Sequence, residues 1–343
     1  MTPASATPRM LAVEDLHVSF RTPGGMLHAV DGISFAIGAG ECVGIVGESG
    51  CGKSVAARSV LRLLHTAETS GRILYRRTDA APPVDLVRLA PNSKAMRAIR
   101  GKEIAMVFQE PMTALTPVYT VGAQLIEEIR AHARVSAADA RTQAIALLAR
   151  VGIPDSTRRV DDYPHQLSGG MRQRVVIALA LACHPQLIIA DEPTTALDVT
   201  IQAQILRLLR ELQHEMGMAL IMITHDLAVV ADMADVVVVM YLGQVVERAP
   251  AAAFFKQPKH PYAQALVRSI ITPATEPQTL LPTIPGTVPN PLNAPSGCRF
   301  RTRCAFAHER CLEAPPDFSV GPEHTAKCWL YHDGGGPCPP NRS

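Results

Sequence analysis

The eight residues Gly47-Glu48-Ser49-Gly50-Cys51-Gly52-Lys53-Ser54 suit one task, the holding of phosphates. Glycines let successive backbone N–H groups turn inward, Lys53 supplies a point charge for β- and γ-oxygens, and the Ser54 hydroxyl can ligate Mg²⁺. Farther along, Leu187-Ile188-Ile189-Ala190-Asp191-Glu192 ends an apolar run on two carboxylates. Adjacent strand residues point to opposite sides, so Asp191 can hold a Mg²⁺ shell while Glu192 orients or deprotonates an attacking water. Leu167-Ser168-Gly169-Gly170-Met171-Arg172-Gln173 puts small residues ahead of a helix, whose free N–H groups can face a second anion. A plain Ser-Gly-Gly helix cap accounts for the same residues.

A different chemistry sits near the C-terminus. Cys298-x5-Cys304-x6-Cys311-x16-Cys328 brings four thiols into 31 residues of a proline-rich segment. The gaps are unlike the paired C-x2-C of zinc ribbons, which leaves an iron–sulfur cluster, zinc, or metal-free reduced thiols as readings. Cys338, beside Gly334-Gly335-Gly336, is expected to take no part. Cys51 lies inside the phosphate loop, so nucleotide binding is expected to be sensitive to thiol alkylation, with protection by ATP.

These groups need elements to position them. Cys42–Val46, Leu187–Ala190 and Leu220–Thr224 read as short buried strands, each followed by a polar loop and a helical stretch, which predicts a mostly parallel α/β core. Ahead of them, Leu11 to Glu14 and Ile33, Phe35 and Ile37 alternate around Pro23-Gly24-Gly25, predicting an antiparallel sheet. Between Val121 and Val151, Ala144, Leu147, Leu148 and Val151 share a helical face and Ser136 to Asp139 resembles a capping box, predicting an inserted helical subdomain. Val236 to Met240, the turn Leu242-Gly243-Gln244 and Val245-Val246 predict a closing hairpin.

Composition narrows the function. The 343 residues carry 33 Lys plus Arg against 31 Asp plus Glu, and a net charge of +2 gives no electrostatic reason to hold nucleic acid. The longest apolar runs, Val175 to Cys183 and Val236 to Leu242, fall short of the roughly 18 residues of a spanning helix. Met1 to Met10 lacks a basic and an apolar signal region, so a cytosolic protein is expected. Five of the eight cysteines and more than half of the 28 prolines follow Ala249, which predicts a separate C-terminal unit.

Taken in order, the loop Gly47 to Ser54, Val107-Phe108-Gln109-Glu110-Pro111, Leu167 to Gln173, Leu187 to Glu192, Ala196-Leu197-Asp198 and Thr224-His225-Asp226 resemble an ATP-binding-cassette ATPase over about residues 10 to 250. The run Lys259-His260-Pro261-Tyr262-Ala263-Gln264-Ala265-Leu266 and the cysteine tail are similar to the C-terminal extension of dipeptide, oligopeptide and nickel importer ATPases. Glu110 to Pro117 also resembles that group, which usually carries Ser and Asn where Ala114 and Thr116 stand. The resemblance implies a P-loop NTPase (RecA-like) core with an antiparallel β subdomain, an inserted helical subdomain and a small irregular Cys-rich C-terminal extension. The corresponding segments are 10–110 and 171–250 for the nucleotide-binding core, 111–170 for the helical subdomain and 251–335 for the extension.

By that resemblance Gln109, Glu192 and His225 are catalytic, with Gln109 sensing metal and water and His225 contacting the γ-phosphate. Phe20 stands where an aromatic stacks on adenine, although a core Phe on an alternating strand fits equally. Gly47, Glu48, Ser49, Gly50, Cys51, Gly52, Lys53 and Ser54 bind nucleotide, with Gln109, Asp191, Ser168, Gly169, Gly170 and Asp198. Ser54, Gln109 and Asp191 take Mg²⁺. Cys298, Cys304, Cys311 and Cys328 are implied to hold a 4Fe-4S cluster, zinc being the alternative. The implied activity is ATP hydrolysis energising peptide import at the cytoplasmic face of the inner membrane. The implied partners are two permease subunits, a second homologous ATPase (identical or not) and, indirectly, an external solute-binding protein. The competing readings are the same role for nickel or another small solute, and a soluble mechanochemical ATPase of DNA repair or translation.

Overall fold

Cys42–Val46 is a fully buried strand of small and β-branched residues, and its end delivers the chain into the phosphate loop. Gly44 in its middle lets the Leu227–Met233 helix approach, since a Cβ there would come within 2.7 Å of Val230 Cγ1. The computed structural model describes residues 9–78, 80–195, 197–270 and 284–332. Their contacts divide the chain into two compact units. One comprises Met1–Leu11, Ile37–Glu41 and Tyr75–Ile223, and the other Ala12–Ala36, Cys42–Leu74 and Thr224–Ser343.

In the phosphate-loop unit, Cys42–Val46 pairs in parallel with Val236–Tyr241, Val43 opposite Val236 and Ile45 opposite Val238. Val236–Tyr241 turns through Leu242 and Gly243, both at positive φ (43° and 80°), into the antiparallel strand Gln244–Pro250. Two left-handed residues match the twist of a two-residue hairpin, and Gly243 also lies where a Cβ would come within 2.9 Å of Ala29 O. This is the hairpin that the run Val236 to Met240, the turn at Leu242-Gly243-Gln244 and Val245-Val246 predict. Gln244–Pro250 next pairs with His324–Ala326, which pairs with Phe318–Gly321. The extension is therefore less irregular than its proline content suggests, because two of its strands complete this sheet. The long strands Arg9–Thr22 and Gly25–Gly38, neighbours in a second sheet with Ala67–Tyr75, form the expected β hairpin around residues 23 and 24. Tyr241, Tyr262 and Phe300 meet with ring centroids 4.7 to 5.3 Å apart beneath the loop. Such pairs contribute about 0.5 to 1.5 kcal/mol each beyond their buried area.

In the other unit, Ile104–Val107, Leu187–Asp191 and Ala219–Ile223 form a parallel three-strand ladder, every residue buried. Full burial explains their uninterrupted apolar sequences. The predicted insertion is present as helices Val121–His132 and Ala137–Arg150, and Ala144, Leu147, Leu148 and Val151 are buried as their spacing requires. Ser136 Oγ accepts from Asp139 N–H at 3.1 Å, capping the second helix. Gly169–Leu181 and Val199–Met216 follow, the latter ended by Gly217 in the left-handed region. Among the described residues, no helix is long and apolar enough to cross a membrane.

Candidate functional site

The phosphate loop runs from the end of Cys42–Val46 to the start of the helix Lys53–Val60, the strand-to-helix setting its chemistry requires. Two of its glycines are obligatory by space. A Cβ at Gly47 would lie 2.2 Å from Met240 O, and one at Gly52, at φ 97°, 2.3 Å from Ala29 O. Lys53 is buried, and its Nζ donates to the loop carbonyls of Gly47 (2.8 Å) and Glu48 (3.0 Å). The cation is thus held over the curl of backbone where phosphate oxygens are expected, and Ser54 follows at the first turn of the helix. This donor set, one cation and one hydroxyl at a glycine-rich strand-to-helix turn, fits a Mg²⁺-bound triphosphate.

Thr224 N–H donates to Ile45 O at 3.3 Å, which sets Thr224 alongside the strand leading into the loop and leaves His225 exposed just beyond. Phe20 is half-buried at the end of the row that Leu16 and Val18 begin. Cys51 is only 2 % exposed, and burial raises its thiol pKa against the lowering effect of Lys53. The Cys51 thiol, whose alkylation is expected to impair nucleotide binding, is thus buried and protonated and reacts slowly.

In the other unit, Asp191 is fully buried as the last residue of its strand, and Glu192 follows at φ 47°. Gln109 Nε2 donates to Glu192 Oε2 at 3.0 Å, and Thr195 Oγ1 donates to the same oxygen at 2.8 Å. Two residues 83 positions apart that the motifs single out separately are thus directly joined. Ser168 caps Gly169–Leu181 by accepting from Met171 N–H at 3.3 Å, so the plain capping role is real. Ser168 and Gly169 are exposed, which leaves this helix start open to solvent. Asp198 likewise caps Val199–Met216 through Ile201 N–H at 2.9 Å.

The C-terminal extension reaches the phosphate loop directly, and nothing in its pattern announces this. Arg303, with a side chain 4 % exposed, forms a two-pronged pair with Glu48: Nη1 to Oε2 at 2.7 Å and Nη2 to Oε1 at 3.1 Å. Tyr262 Oη accepts from Glu48 N–H at 2.8 Å. Arg299 donates to Asp31 and to the carbonyl of Leu242. Buried Glu247 accepts from the N–H groups of Lys259 and His260 and pairs with His324 Nε2 at 2.8 Å. Lys259, His260 and Tyr262 belong to a run the sequence marks; the arginines adjoin Cys298 and Cys304 and read as ordinary surface cations.

Cys298, Cys304, Cys311 and Cys328 line one small cavity with Phe300, Phe306 and Trp329. Burial raises the thiol pKa of Cys298, and lifts Cys304 to about 11 and Cys328 to about 12. Among the described residues, no three of these sulfurs lie within 4.8 Å of one another. A single tetrahedral zinc, with Zn–S bonds of about 2.3 Å, needs sulfurs about 3.8 Å apart. Cys338 lies outside the described residues.

Comparison with known proteins agrees with this geometry. Residues 30–195 match the ABC transporter family, and residues 246–311 match the oligopeptide/dipeptide transporter C-terminal region. A probable peptide ABC transporter ATP-binding protein of Sinorhizobium fredii is 48% identical over 328 residues, 94% of this chain and 96% of the relative. A putative peptide import ATP-binding protein of Brucella abortus is 50% identical over 333 residues, covering 94% and 98%. Among solved structures, a dimeric ATP-binding cassette in a post-hydrolysis state with ADP and Pi is 27% identical, with a TM-score of 0.62 over 71% of this chain and 99% of that one. The cbiO1 subunit of a Clostridium perfringens ABC transporter complex is 30% identical, with a TM-score of 0.59 over 73% and 91%. With the cassette motifs in their structural places and relatives matched nearly end to end, this chain belongs to the ATP-binding subunits of ABC transporters and is an ABC-type ATPase.

Proposed function

We propose that the chain hydrolyses ATP to energise the import of short peptides, working at the cytoplasmic face of the inner membrane. The observation that carries the substrate class is the match of residues 246–311 to the oligopeptide/dipeptide transporter C-terminal region, joined to a cassette whose nearly full-length relatives are named for peptide import. Its partners are two integral permeases, a second homologous ATPase and, across the membrane, a solute-binding protein. Residues 10–110 and 171–250 serve as the nucleotide core and 111–170 as the helical subdomain. Residues 251–335 serve as the extension.

Phosphoryl transfer leaves the protein mainly positioning and charge stabilisation to perform. The loop Gly47 to Gly52 and Lys53 hold the phosphates, and Phe20 offers a ring for adenine. Ser54, Asp191 and Gln109 would hold Mg²⁺, which would supply charge neutralisation to the phosphates. Glu192 accepts a proton from the attacking water, and its bonds to Gln109 and Thr195 fix the carboxylate's direction. His225 donates to the γ-phosphate. Ser168, Gly169 and Gly170 close the nucleotide of the partner ATPase, with Asp198 beside them, so that ATP favours the closed dimer and hydrolysis releases it. The four tail cysteines would hold a 4Fe-4S cluster, which would supply structural order to a segment poor in apolar residues.

The test is reconstitution with the permeases and solute-binding protein of a peptide importer. Peptide-loaded binding protein should stimulate ATP hydrolysis and drive uptake of a labelled dipeptide. Stimulation by nickel or another small solute but not by peptides would overturn the substrate assignment, and turnover indifferent to the permeases would overturn the transport role. Anaerobic purification should give brown protein; a colourless, zinc-loaded preparation would reject the cluster.

A further inference from the structure

One cluster of ligating side chains contains no residue of the cassette motifs. Glu128 and His132 stand one turn apart on the helix Val121–His132, and Cys183 follows the helix Gly169–Leu181. One ligand atom from each, a carboxylate oxygen, a ring nitrogen and Sγ, lie mutually within 4.8 Å, the one such trio among the described residues. His132 Nε2 and Glu128 Oε1 are 3.7 Å apart, too far for a hydrogen bond. Tetrahedral zinc with bonds of about 2.0 to 2.3 Å sets neighbouring donors about 3.4 to 3.7 Å apart. The spacing is therefore that of two ligands facing a shared point.

The wall behind them is bare backbone. Gly101 sits at φ 79°, and a Cβ there would come within 2.7 Å of Glu128 Oε1 and 3.1 Å of His132 Nε2. Cys183 Sγ stays beside the cluster through a 3.8 Å contact to Glu128 O. Carboxylate plus thiolate balance the charge of a divalent ion, neutral imidazole completes three ligands, and a fourth place is left for water. This N, O, S set suits Zn²⁺ and excludes Mg²⁺ and Ca²⁺, which take oxygen ligands.

We propose that Glu128, His132 and Cys183 bind one Zn²⁺, clipping the first helix of the insertion to the end of the helix that Ser168 caps. The full-length, tag-free chain, stripped with a chelator, would be titrated with Co²⁺ as a spectroscopic stand-in, alongside Cys183→Ser and His132→Gln. The tail thiols and the phosphate loop are common to all three proteins, so the comparison isolates this site. Each variant should lose one tightly bound Co²⁺ per chain, and Cys183→Ser should also lose one thiolate's share of the thiolate-to-cobalt charge-transfer band. Zn²⁺ should raise the melting temperature of the parent more than that of either variant. Equal stoichiometry in all three proteins overturns the site, and so does a loss confined to one variant. The substitutions lie on different segments, and the parent's own zinc-dependent melting shift decides if either misfolds: its absence rejects the clip.

Discussion

Arg303 and Glu48 join the cysteine tail to the phosphate loop, and the two ends of that pair differ in solvent access, 4 % against 26 % exposed. The difference fixes which end is costlier to lose. In Glu48→Ala the guanidinium stays buried with neutral acceptors: Pro285 O at 2.9 Å, Tyr241 Oη at 3.3 Å and Ile284 O at 3.4 Å. Stranding one member of a buried pair costs about 3 to 5 kcal/mol, and these acceptors hold the loss near about 3. In Arg303→Met the stranded carboxylate can reach water. The thioether takes the place of an arginine head lying 5.9 Å from the ring centres of Tyr241 and Phe300. That loss should be about 1 kcal/mol. The gap of about 2 kcal/mol is roughly a thirtyfold difference in the unfolding constant. The double variant should cost little more than Arg303→Met alone, because no charge is then left unpaired. Urea unfolding followed by tyrosine fluorescence measures all four proteins, and fluorescent-ATP titration should show weaker binding in the order of lost stability. Arg303→Met as costly as Glu48→Ala, or strictly additive losses, would refute the reasoning.

Three further outcomes are expected. Glu192→Gln should retain ATP binding while hydrolysis falls by about 10² to 10⁴, since the water loses its proton acceptor; near-parental turnover would remove Glu192 from that role. Maleimide should label Cys51 slowly at neutral pH, about tenfold faster per pH unit upward, and more slowly still with Mg-ATP; labelling as fast as an exposed thiol would contradict its burial. Burial lowers the His260 pKa from 6.5 to about 3, so the stability it confers is complete above about pH 6.5 and drains as pH falls toward the folded value. At about pH 5.5 this amounts to about 1.4 kcal/mol. His260→Asn keeps an acceptor for Tyr262 N–H and should lose correspondingly less between about pH 7.5 and about pH 5.5 in denaturant melts; equal losses would show that the acid sensitivity comes from elsewhere.

Local rules made much of this chain legible. A phosphate loop needs glycines at fixed offsets between a strand and a helix, so Gly47 to Ser54 is recognisable without coordinates. Ser136 and Ser168 as caps and Leu242-Gly243 as a turn follow from hydrogen bonds and dihedrals within a few residues. Composition marked the tail as a separate unit, whereas in the fold it joins the phosphate-loop unit, its strand His324–Ala326 pairing with Gln244–Pro250. What no local rule contains is the meeting of distant side chains. Gln109 with Glu192, Arg303 with Glu48, and Cys183 with Glu128 and His132 are separated by 83, 255 and about 50 residues. Burial is equally nonlocal: Cys51 reads as a reactive loop thiol until the backbone around it closes, and Arg303 reads as a surface cation until the extension lays it against the loop. Periodicity and spacing act through bonds and nearest neighbours, whereas pairing, desolvation and the sharing of a point in space belong to the folded chain alone.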